Sequence, residues 1–79
     1  MKDLLERITF NSKVLCGQPL IRGLRISVAT ILELLAKGAT PQEILEDYPE
    51  LEAQDIDAAL AYAYYLIKNE TTIERISIS

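Results

Sequence analysis

The sequence predicts one domain, mostly α-helical with a small β component: a three-helix bundle preceded by short N-terminal strands. Three observations lead there. Val28, Ile31, Leu32 and Leu35 form an apolar stripe at helical spacing, bracketed by Ser27 and Gly38. Thr40-Pro41-Gln42-Glu43 has the composition of a helix start. From Ala58 to Ile67 no residue is charged, and that run lies within a long segment free of proline and glycine.

Taken in order, residues 1–26 make a basic head of short strands. Ile8 and Phe10 alternate with Thr9, which predicts a strand, and Pro19-Leu20-Ile21 predicts a second one ended by Gly23. Residues 27–69 make the helical body. Ser27 can cap the first helix, whose stripe faces inward while Thr30, Glu33 and Lys37 face out; Gly38 stops it. The second helix begins at Thr40 and buries Ile44, Leu45 and Tyr48 before Pro49 ends it. The third runs from Ala53 to Asn69, with Glu52, Asp55 and Asp57 at its positive end. Residues 70–79, T-T-I-E-R-I-S-I-S preceded by Glu70, alternate Ile76 and Ile78 with serines, as a strand would.

The third helix carries the functional argument. Its inner face reads as Ile56, Ala59, Leu60, Ala63 and Ile67, yet Ala58, Tyr62 and Tyr65 form a second apolar face on nearly the opposite side. Only the strip Asp57, Ala61, Tyr64 and Lys68 bears charge. A helix apolar nearly all round needs shelter all round. A chain of 79 residues has little material for that. Either the first 25 residues fold over the helix or a second copy does. A homodimer through Ala58, Tyr62, Tyr65 and Leu66 is the expectation.

Composition narrows the function classes. There is no His, one Cys and no glycine-rich phosphate loop. The commonest general base and a closed zinc site of nitrogen and sulfur ligands are therefore both excluded. No cofactor, metal site or small-molecule substrate is expected, and the chain reads as no enzyme. The acids at 52, 55 and 57 have an electrostatic reason to sit at a helix start, without a metal. Cys16 reads as a small buried apolar residue in a reducing, cytoplasmic setting, and no apolar run is long enough to span a membrane.

Charge is uneven. Residues 1–25 hold Lys2, Arg7, Lys13, Arg22 and Arg25 against Asp3 and Glu6, while the remainder is strongly acidic. Such a division suggests two surfaces with different partners, or opposite charges meeting across a dimer. Tight connections before the last two helices give the body a helix-turn-helix outline. The recognition positions would be Glu52, Gln54, Asp55 and Asp57, whose acids repel phosphate. The basic head is the better candidate for nucleic acid, through Lys13, Arg22 and Arg25. The alternative for an arginine in the Gly23 turn is to tie down carbonyls or an acid.

The segment from Ile8 to Ala63 resembles the family called domain of unknown function four-three-three. The resemblance rests on three motifs. The first comprises Cys16, Gly17, Pro19, Ile21, Gly23, Arg25 and Ile26; the second Pro41, Glu43, Ile44, Leu45, Asp47, Tyr48 and Pro49; the third Asp55, Ile56, Ala58, Ala59, Leu60 and Tyr62. Gln18, Leu24 and Glu52 depart from the usual residues. The resemblance implies a winged-helix-like or helix-turn-helix-like bacterial or archaeal domain, commonly dimeric. It also implies a role as antitoxin of a toxin–antitoxin pair, encoded beside a PIN-like ribonuclease toxin. On that reading the tail would meet the toxin through Ile73, Arg75, Ile76 and Ile78, with Arg75 competing for an acidic, metal-binding site. The alternative is a DNA-binding regulator or an orphan dimeric scaffold without a toxin.

Overall fold

A computed structural model describes residues 1–69. Its elements run α1 (Lys2–Leu5), β1 (Ile8–Thr9), a single 3-10 turn (Leu15–Gly17), β2 (Leu20–Ile21), α2 (Val28–Ala36), α3 (Pro41–Asp47) and α4 (Ala53–Lys68). The expected class holds: helices with one small antiparallel sheet, in which Ile8 faces Ile21 and Thr9 faces Leu20. The tail strand expected over residues 70–79, with Ile73, Arg75, Ile76 and Ile78, lies outside the described residues.

Local chemistry sets the helix ends. Ser27 Oγ accepts the Thr30 amide at 3.0 Å, starting α2. Gly38, at φ +99°, supplies the left-handed residue just beyond its end. At α3 the Thr40 Oγ1 accepts the Glu43 amide at 3.1 Å and Glu43 Oε1 accepts the Thr40 amide at 2.8 Å. That reciprocal pair, with Pro41 behind the cap, satisfies donors that would otherwise be orphaned. Tyr48 leaves helical geometry, as the following Pro49 requires.

Ile21, Val28, Ile31, Ile44, Leu51, Ile56 and Ala59 form the core, so β2 and all three longer helices contribute to it. The head is therefore part of the core and not an appendage. Leu32, Leu35, Leu45 and Tyr48 pack around it half-buried, on the faces expected of them.

Four expectations need correction. Residues 2–5 form a helical turn, α1, that packs along α4; a single turn is too short to show a period. Phe10 lies outside β1 and is exposed. Just after it, Asn11 Oδ1 accepts the Lys13 amide at 2.9 Å and turns the chain away from the sheet. Cys16 is exposed, carried on the surface 3-10 turn at φ 59°. Leu60 and Ile67, expected on the inner face of α4, are both exposed, because the core lies toward Asp55, Ile56 and Ala59 instead.

Candidate functional site

The start of α4 is where the head and body meet electrostatically. Ile21-Arg22-Gly23-Leu24 is a tight turn closed by the Leu24 amide on the Ile21 carbonyl at 2.7 Å. Both central residues have positive φ, 46° at Arg22 and 74° at Gly23. That geometry suits the twist of a β-hairpin, and at the second position glycine adopts it without strain. Arg22, which is not glycine, is held there by its amide on the Arg7 carbonyl at 2.7 Å and by its guanidinium.

The guanidinium reaches Asp55. Arg22 Nε donates to Asp55 Oδ1 at 3.0 Å and Nη2 to Oδ2 at 2.9 Å, a bidentate pairing, while Nη2 also donates to the Glu50 carbonyl at 2.8 Å. Arg7 approaches from the other side. Its Nη1 lies 2.8 Å from Asp55 Oδ1 and 2.9 Å from Glu52 Oε1, and its Nη2 donates to Gln54 Oε1 at 2.6 Å. Asp55 Oδ2 also accepts the Glu52 amide at 2.8 Å, so the same carboxylate caps the helix it belongs to.

Asp55 is completely buried, and burial alone would push its carboxyl up. The hydrogen bonds from Arg22, from the Glu52 amide and from Arg7 outweigh that and bring it below the ordinary carboxylate value. In return, Arg7 is raised by Glu52 and then Asp55, and Arg22 by Asp55. Every buried side-chain polar atom among the described residues has a partner. The cluster is a satisfied clasp between β-hairpin and helix.

The three nucleic-acid candidates are placed differently. Arg22 takes the structural alternative, bound to an acid and a carbonyl. Lys13 and Arg25 are exposed and make no ion pair among the described residues. Two of the head's cations, Arg7 and Arg22, meet acids of the body within one chain. The sequence expectations give Arg7 no role and do not join it to Asp55, which lies 48 positions away. The excess of cations over residues 1–25 and of acids around the start of α4 was the available signal, but it does not say which pairs form.

The second half of α4 is the opposite kind of surface. Of the four residues assigned to a dimer interface, Ala58 is corrected: it is fully buried inside its own chain. Tyr62 is half-buried, with the Phe10 ring tilted over it at 6.3 Å between centroids, so the head does cover part of this helix. Tyr65 and Leu66 are exposed, and so are Tyr64 and Ile67, all four at about half of their surface or more. Two hollows flank them. One, of about 300 Å³, is lined by Pro19, Val28, Ala29, Leu32, Tyr62, Ala63, Leu66 and Ile67. The other, of about 380 Å³, is lined by Met1, Leu4, Asp57, Leu60, Ala61 and Tyr64. No helix among the described residues is long and apolar enough to cross a membrane.

Residues 8–63 match the family model described as protein of unknown function, DUF433. A solved structure of a DUF433 member protein from Anabaena variabilis superposes with a TM-score of 0.69 at 35% identity, over 94% of this chain and 70% of that one. An uncharacterized protein, y4eO, of Sinorhizobium fredii is 34% identical over 58 residues. That match takes in 73% of this chain, which spans only 26% of that protein's length.

Proposed function

The chain belongs to the DUF433 family, and from that premise we propose that it works without catalysis, as a self-pairing cytoplasmic module that holds a second protein. One observation carries the reading: Tyr64, Tyr65, Leu66 and Ile67 stand half in water at the end of the longest helix. Fully burying one such side chain is worth about 1.5–3 kcal/mol. Four such side chains left half bare, on more than one side of the helix, are apolar area that association stabilises. Light scattering through a micromolar dilution series checks the pairing. Twice the chain mass is expected, and a monomer at every concentration overturns it.

The second protein we propose is a PIN-like ribonuclease toxin, which makes this chain antitoxin-like. The support is the resemblance in the three motifs, together with a body that already has its own core and keeps apolar surface to spare. Co-purification with the product of an adjacent gene, lost on deleting residues 70–79, is the outcome this requires. DNA binding is the second reading, favoured by the free exposure of Lys13 and Arg25. A mobility shift that weakens steeply as salt rises would support it.

A further inference from the structure

One strip of α4 is complementary to itself. Asp57, Ala61, Tyr64 and Lys68 recur at spacings of four, three and four, the seam of a helix that packs against another helix. The ends of the strip carry opposite charge, and both ends are exposed. Lys68 Nζ lies 5.9 Å from the centre of the Tyr64 ring, which keeps it on the strip. Between the charges the surface is shaped in two steps. Ala61, almost buried, is part of a hollow of about 380 Å³ that Leu4 and Met1 wall on the α1 side. Tyr64, half exposed, rises beside it.

We propose that a second copy lays its α4 antiparallel along this strip, about a two-fold axis between Tyr62 and Ala63. This rests on the self-pairing proposed above and places it on the Tyr64 side of α4, in place of the Tyr62, Tyr65 and Leu66 face expected from the sequence. The register follows from arithmetic on the positions. An axis there sets Asp57 opposite Lys68 of the second copy, and Tyr64 opposite its Ala61, each pair occurring twice. Asp57 and Lys68 are eleven residues apart, about 16 Å along the helix, so the ion pairs close both ends of the contact. Tyr64 fills the hollow at Ala61 on the other copy, a bulky side chain against a small one. A parallel arrangement would instead set Asp57 against Asp57 and Lys68 against Lys68, which opposes association. The hollow beside Leu32 and Leu66 faces the other side of α4 and stays open to a different protein.

Charge exchange tests this. Asp57 and Lys68 are exposed, so Asp57→Lys and Lys68→Asp leave the fold intact, verified by circular dichroism. Each substitution turns two attractions into two repulsions, because both copies carry it. Each is expected to weaken the dimer at least about tenfold by analytical ultracentrifugation. The double variant Asp57→Lys/Lys68→Asp is expected to recover wild-type association. A second measurement uses a Cys16→Ser background. Asp57→Cys with Lys68→Cys is expected to cross-link under mild oxidation, while Asp57→Cys alone is not, its two copies lying beyond the roughly 7 Å that a disulfide tolerates. A wild-type dimer whose association ignores the single exchanges, or cross-linking by Asp57→Cys alone, overturns this register and leaves self-pairing standing. A wild-type monomer overturns self-pairing itself.

Discussion

The two halves of α4 invert the usual relation between polarity and burial. The first half carries the charged residue Asp55, and Asp55 is fully buried beside Ile56, Ala58 and Ala59. The second half carries no charge until Lys68, and Tyr64 through Ile67 are exposed. What differs is the reach of the rest of the chain. The β-hairpin, α2 and α3 converge on the start of the helix, and Arg7 and Arg22 supply what a buried carboxylate needs. Toward the end of α4, among the described residues, α1, Phe10, Pro19 and one side of α2 lie near enough to cover part of it. Burial among the described residues follows where neighbours are, and the apolar end of α4 is the surface on which the proposed association rests.

The sharpest way to break that contrast is to remove the buried charge. Asp55→Ala strips both arginines of their common partner and unpairs the Glu52 amide at the helix start. Breaking a buried ion cluster from one side costs up to about 3–5 kcal/mol. The Arg7 and Arg22 side chains are 23% and 34% exposed and can regain water, so about 3 kcal/mol is expected. A chain of this size has only a small reserve of stability, and the loss should appear as unfolding near ambient temperature by circular dichroism. An unchanged melting curve would mean the clasp contributes nothing.

Acid should reproduce part of that loss reversibly. The folded Asp55 titrates below its unfolded value of about 3.8, so its contribution is complete above pH 4 and is lost as pH falls through the lower folded value. Within that window one such group contributes a slope of at most about 1.4 kcal/mol per pH unit. Other carboxylates share the range. The difference between wild type and Asp55→Asn in urea melts at pH 5 and pH 3 isolates this one, and the variant is expected to show the flatter dependence.

These tests also mark what was readable beforehand. Helix ends were, because they are local: Ser27 with Thr30, Thr40 with Glu43 and the stop at Gly38 each lie within a few residues of their consequence. The family motifs were readable for the same reason, as short runs. The clasp was not, since Arg7 and Arg22 meet Asp55 across 48 and 33 positions, and charge balance names no pairs. The orientation of α4 failed for a different reason. Amphipathic patterning tells direction only where polar residues mark the outside, and from Ala58 to Ile67 nothing marks it. Leu60 and Ile67 were therefore placed inward and Ala58 outward, each the wrong way round.

The smallest expected effect is also the most direct comparison of the two halves, since the same residue type stands in each. Ile67 is 57% exposed against 2% for Ile56. Ile67→Ala gives up a modest packed area and gains an intrinsic helix preference of a few tenths of a kcal/mol. The two nearly cancel, and a net change within about 0.5 kcal/mol is expected by urea titration at a concentration where the chain is monomeric. Had α4 been oriented as its periodicity alone suggests, Ile67 would sit in the core and the same deletion would cost about 2–5 kcal/mol. A loss of that size at Ile67 would place the core at the wrong end of α4 and remove part of the exposed apolar surface from which association is proposed.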